Sequence, residues 1–79
     1  MAIRAYVLIE TQVGKTKEAI EGIRELEGVV QVDSVTGPYD AIATVEKATL
    51  SKIGGLVTER LQHICGVSRT VICLAVGSS

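Results

Sequence analysis

Asp40 is the residue whose surroundings best suit it to chemistry. It follows Gly37-Pro38-Tyr39 and immediately precedes an apolar stretch. In that turn glycine permits unusual backbone angles, and proline fixes its own φ while donating no amide. A carboxylate presented this way can cap its own turn in Asx fashion. Alternatively, it can accept a charge-assisted hydrogen bond from the ammonium or amide of a small ligand. Gly14-Lys15-Thr16 raises a different possibility, because Gly-Lys-Thr between a strand and a helix is the tail of a phosphate-binding loop. Such a loop also requires a glycine five positions before Gly14, and Ile9 stands there. Nucleotide binding is therefore not expected, and Thr16 is read as a helix cap with Lys15 solvated.

The other reactive side chains do not combine into a catalytic or metal-binding set. His63 is the only histidine, so one subunit can form neither a His pair nor a His-carboxylate triad. A histidine near a helix C-terminus is favoured by the dipole alone; a general base in a cleft shared between subunits is the alternative. Cys65 and Cys73 lie eight positions apart in apolar surroundings, not at the two-residue interval of redox or zinc motifs, and are read as buried thiols. Ser34, Ser51 and Ser68 lack a glycine-elbow signature. Glu25 and Glu27 read as a solvated face, and Lys17, Glu21 and Arg24 are spaced for local ion pairs. No cofactor and no metal are implied.

The elements that must position Asp40 follow from periodicity. Ile3 to Glu10 reads as a strand whose first side, Ile3, Ala5, Val7 and Ile9, is wholly apolar. Its second side carries Tyr6 and Leu8, which suggests that both faces are partly covered. Glu18 in the first turn and the helical spacing of Ala19, Ile20, Ile23 and Leu26 predict a helix closed by Gly28. Val29 to Thr36 reads as a second strand and Ala41 to Glu46 as a third. Thr49 caps a second helix with the stripe Leu50, Ile53, Val57, Leu61 and Ile64, closed by Gly66, and Val67 to Val76 is the fourth strand. Gly54-Gly55 inside that helix costs roughly 1 kcal/mol per glycine relative to alanine. Close packing on the sheet or its neighbour would account for the pair, as would a ligand or second subunit approaching the backbone.

Displacing the chain by 38 residues superposes Ala5 on Ala43, Val7 on Val45, Thr11 on Thr49, Gly28 on Gly66 and Val29 on Val67. These matches fall on strand starts and helix ends and indicate a duplicated βαβ unit. The expected fold is α+β, a ferredoxin-like βαββαβ sandwich with a four-stranded antiparallel sheet and two helices on one face. The other face then needs a partner, with Tyr6 and Leu8 as candidates. Seventy-nine residues make one domain, 1–79, with a small core, and 47% apolar content without Phe or Trp means that core is aliphatic. Association with further copies would supply the missing burial. A formal net charge of −1 provides no footprint for a phosphate backbone, so direct DNA binding is not expected. Neither a signal peptide nor an apolar run of ~20 residues is visible, which predicts a cytoplasmic chain without membrane contact.

Gly37-Pro38-Tyr39-Asp40, followed by Val45, and Gly66-Val67-Ser68-Arg69-Thr70 leading into the last strand carry a resemblance. Over nearly its whole length the chain resembles the effector-binding domain of Lrp/AsnC regulators, also called the regulation-of-amino-acid-metabolism domain. The resemblance implies dimers formed through the sheets, rings of dimers, and effector amino acids bound where dimers meet. It implies no catalysis. Full-length members carry an N-terminal helix-turn-helix; here the first strand begins at Ile3, which points to a stand-alone sensor acting alone or with full-length relatives. Gly37, Tyr39 and Asp40 match the family's hairpin motif, and Thr70 matches the first hydroxyl of its Thr-x-Thr pattern. Ile72 departs from the second, so either the ligand differs or the pocket is closed. Three other readings stand beside this one: a small dimeric ferredoxin-like barrel enzyme of oxygenase or isomerase type, an ACT-type amino-acid-binding domain, and a purely structural assembly module. The enzyme would need a polar group among the helix-facing residues Ala19, Ile20, Ile23, Ile53, Val57 and Leu61, and there is none.

Overall fold

Alternation along the first strand sorts its side chains between two faces, and this decides where the core lies. In β1 (Ile3–Thr11), Ala5, Val7 and Ile9 are fully buried, while Arg4 and Tyr6 are exposed. The computed structural model describes residues 2–76, so the two ends of the domain read over 1–79 lie outside the described residues. Helix α1 (Thr16–Arg24) follows, then β2 (Val29–Ser34), β3 (Ala41–Lys47), α2 (Leu50–Glu59), a 3-10 turn over Leu61–His63, and β4 (Val67–Leu74). The sheet order is β2-β3-β1-β4 with every neighbouring pair antiparallel. This is the expected ferredoxin-like α+β fold, in which both central strands come from the start of a βαβ unit.

The helices cover one face. Ala19, Ile20 and Ile23 of α1 and Ile53, Leu56 and Val57 of α2 close over Ala5, Val7, Ile9, Ala41, Ala43 and Val45. The molecule is only 16 Å through its thinnest dimension, the depth of one sheet and one helical layer. Close approach between the helical elements occurs at Gly22, where an added Cβ would lie 3.0 Å from Ile64 Cγ2. Gly54 and Gly55 do not serve that purpose, because a Cβ at Gly54 would meet nothing within 4 Å and one at Gly55 only a glutamate oxygen at 3.9 Å.

Several local expectations need correction. Lys15, not Thr16, is the N-cap of α1, without a side-chain cap, and the Thr16 hydroxyl is directed to Thr11 instead. Thr49 does cap α2, its Oγ1 accepting from Lys52 N at 3.2 Å. The second helix does not run to Ile64. Arg60 leaves helical angles, so Leu61 reaches the core through the 3-10 turn, and Leu50 at the other end stays half exposed. Strand β2 contains an irregularity between Val29 and Gln31, which turns Val30 outward while Val32 faces the helices. Both cysteines are exposed, not buried. Cys65 lies between the 3-10 turn and Gly66, and Cys73 pairs with Tyr6 on the face that no helix covers.

Gly66 shows how tightly the turn into β4 is built. Its φ is +98°, and an added Cβ would stand 3.0 Å from the Lys15 carbonyl oxygen and 3.3 Å from Ala19 Cβ. Only glycine satisfies both the backbone conformation and the contact.

Candidate functional site

Asp40 is tied to the end of β1. Its backbone amide donates to Ile9 O at 2.9 Å, and its carbonyl accepts from Val35 N at 3.0 Å, which closes the β2–β3 connection. The Oδ2 oxygen accepts from Thr11 N at 2.8 Å and from Thr11 Oγ1 at 3.1 Å. Thr11 Oγ1 also lies 2.7 Å from Thr16 Oγ1. A carboxylate has no proton to give, so Thr11 donates to Asp40 and Thr16 must donate to Thr11. The result is a short relay of hydroxyls from α1 to the hairpin. Oδ1 takes no hydrogen bond from the described residues and remains available.

Gly37 has a φ of +138° and nothing within 4 Å of where a Cβ would stand, so the hairpin's start is open to the outside. Tyr39 is half-buried, with the Arg69 guanidinium 5.8 Å from its ring centroid, within cation–π range. Arg69 Nε is in turn 3.7 Å from Glu10 Oε1, and Ser68 Oγ donates to Glu10 O at 3.0 Å. The hairpin and the start of β4 thus meet across the end of β1 through the contact of Tyr39 with Arg69.

Thr70 lies elsewhere. It is paired with Ile9, and Ile72 with Val7, so both point to the helix side of the sheet, whereas Arg69 points to the other. Thr70 Oγ1 accepts from Gln62 Nε2 at 3.0 Å, above a shallow cavity of about 240 Å³ that Gln62, Ser68 and Arg69 help to line. Ile72 and Leu74 remain exposed on that side, because the helices stop short of this edge strand. Within one chain, then, the Tyr39 ring meets Arg69, the Asp40 carboxylate is linked through Thr11 to α1, and Thr70 and Ile72 lie on the helix side of β4. Thr11, Thr16, Gln62 and Arg69 are the partners that sequence reasoning missed. Only Arg69 had a signal, since it lies inside the Gly66–Thr70 segment.

No side chain in the core between sheet and helices is polar or charged among the described residues. Among the described residues, no helix is long and apolar enough to cross a membrane.

Comparison with known proteins agrees with this architecture. The profile of the Lrp/AsnC ligand binding domain matches residues 4–78. An uncharacterised HTH-type transcriptional regulator of Pyrococcus furiosus is 39% identical over 70 residues, which cover 85% of this chain and 47% of that protein. The chain spans less than half the length of the curated relatives it matches. A crystal structure from Thermus thermophilus superposes with a TM-score of 0.91 at 36% identity, covering 98% of this chain and 96% of that one. The transcriptional regulator of Neisseria meningitidis solved with L-Met superposes at 0.85 with 14% identity, covering 95% of this chain and 50% of that one, which is a likeness of fold. With its sheet order, its Gly-Pro-Tyr-Asp hairpin and a profile match across nearly all of its length, the chain belongs to the Lrp/AsnC ligand-binding domain family.

Proposed function

We propose that this domain senses a small amino acid or a related metabolite and transmits its presence through an oligomer of itself, alone or with full-length Lrp/AsnC regulators. The observation that carries this reading is the divided role of the Asp40 carboxylate: Oδ2 is anchored by Thr11, while Oδ1 is left for an incoming donor. A ligand ammonium on Oδ1 would gain a charge-assisted hydrogen bond. Arg69, presented over Tyr39, supplies the opposite charge for a carboxylate. The complex of the Neisseria meningitidis regulator with L-Met supports an amino acid as the ligand class. Thr70 and Ile72 stand on β4, across β1 from the hairpin of their own chain, so they would complete the site from a neighbouring subunit.

Oligomerisation through the open sheet face is part of the proposal. The centre of that face is mostly apolar, with Tyr6, Leu8, Ile42, Val71 and Cys73 around Thr44, and Gln31 and Asp33 on the edge strand β2. Ion pairs lie at its two ends, Arg4 with Glu46 and Arg69 with Glu10, which is the apolar-centre, polar-rim anatomy of protein interfaces. One feature favours a module that only assembles: Ile72 stands where the family pattern has a second hydroxyl, and with Leu74 it presents uncovered apolar surface.

A thermal-shift panel of amino acids and related metabolites tests the reading, since a ligand at ~100 times its Kd adds roughly 2.7 kcal/mol of stability. Calorimetry with any responder then compares wild type, Asp40→Asn and Ile72→Thr. Asp40→Asn is expected to weaken binding by roughly 1.5 to 3 kcal/mol while the fold survives, because the asparagine oxygen can still accept from Thr11. Ile72→Thr is expected to strengthen it. Equal affinities for wild type and Asp40→Asn would reduce Asp40 to a structural tie, and no responder in the panel would favour the assembly module.

A further inference from the structure

The two adjacent glycines of α2 have different surroundings. Gly54 faces open space, whereas Gly55 lines a cavity of about 240 Å³ between α2, the end of β3 and the segment after α1. Lys47, Lys52 and Arg60 stand around it, with Glu27 and Glu59. None of these five charges is in an ion pair among the described residues, the three pairs there being Arg4–Glu46, Lys15–Glu18 and Arg69–Glu10. The Lys47 stem is laid against Gly28, where an added Cβ would come within 2.5 Å of its Cε. A glycine thus gives Lys47 its path, and another keeps the cavity empty. Gly55 is retained in a helix interior at a cost in helix propensity, and the packing of the chain on itself does not require it.

We propose that this cavity is a ligand site separate from the Asp40 hairpin, taking a small metabolite that bears an oxyanion, either a phosphate or a carboxylate. Three cations against two carboxylates give the lining one surplus positive charge, which a bound anion would offset. The volume falls below the roughly 300–1,000 Å³ of most ligand pockets, so the ligand has few heavy atoms. The carboxylates can serve a donor on the same molecule, such as an ammonium or hydroxyl.

The test is an NMR titration of the full chain with inorganic phosphate and, separately, with glutamate, at ionic strength held constant with sodium chloride. Saturable shifts at the Lys52, Gly55 and Arg60 amides are expected. A response to phosphate alone identifies a phosphate ligand, and one to glutamate alone a carboxylate. Binding at the hairpin would instead move Asp40 and Arg69, so failure of either site is read independently of the other. Gly54→Gln and Gly55→Gln both replace glycine with a better helix former, and both should raise Tm. Only Gly55→Gln, whose side chain enters the cavity, should weaken binding by at least tenfold, and the Lys52→Ala/Arg60→Ala double variant should do the same. If Gly55→Gln lowers Tm, the double variant decides. Absence of saturable shifts with both probes, or wild-type titration by the double variant, overturns the proposal.

Discussion

One oxygen of Asp40 holds the structure together and the other is left exposed, so the residue is both a tie and a candidate contact. The turn chemistry of Gly37-Pro38-Tyr39 makes Asp40 legible from sequence, but its true partner does not follow from it. Thr11 is 29 residues away, and no local rule links them. Thr16 departs from its expected role for a related reason: the helix already begins at Thr16, so Lys15 takes the cap position and the Thr16 hydroxyl turns to Thr11 at 2.7 Å. Cys65 departs from its own because apolar neighbours in sequence do not ensure burial beside a turn. Its thiol pKa is raised, chiefly by a hydrogen bond to the Glu18 carboxylate and by that group's charge. A raised pKa means less thiolate at pH 8, so Cys65 should react slowly with iodoacetamide. Glu18→Gln removes the charge, lowers the pKa and should speed the reaction. Mass spectrometry of alkylation at Cys65 checks this; an unchanged rate would assign the slowness to access.

At the scale of elements, apolar periodicity suffices for the type and order of all six main elements, because alternation and the helical repeat each reflect a single covered face. Element ends are less accessible. The break after Glu59 and the bulge at Val30 depend on how Leu61 and Val32 reach the shared core, which no short window contains. Glycines are legible as punctuation but not in their detail. Gly66 is expected from sequence to close a helix, and its position against the Lys15 carbonyl adds a steric requirement to the conformational one. Gly66→Ala should therefore destabilise the domain by about 1–3 kcal/mol, with the backbone strained at positive φ and Lys15 displaced. Urea denaturation should show a lower midpoint at an unchanged slope. A midpoint equal to that of wild type would mean that the turn relaxes without cost.

For the whole molecule, the half-covered sheet is the dominant fact. Internal duplication predicts two central strands and two edges, and Tyr6 and Leu8 mark the uncovered face, although their apolar character also suggests that both sides of β1 are partly covered. If the open face is the subunit interface, Leu8→Asp introduces a charge at its centre and should leave a single-chain species in sedimentation at micromolar concentration, where wild type sediments as a larger one. A wild type that sediments as one chain, or a variant that assembles as before, would count against the interface. The strand order also bears on synthesis. β1 emerges first from the ribosome, yet it lies between β3 and β4, and Leu8 must wait for Val71. At translation rates of roughly 5–20 residues per second, the ~60 residues between them take about 3 to 12 seconds. During that time β1, β2 and β3 can pair, with β1 as a bare edge. β4, the strand nearest the exit tunnel, then completes the sheet, so a nascent chain stalled before Leu74 leaves its central strand paired along one side only.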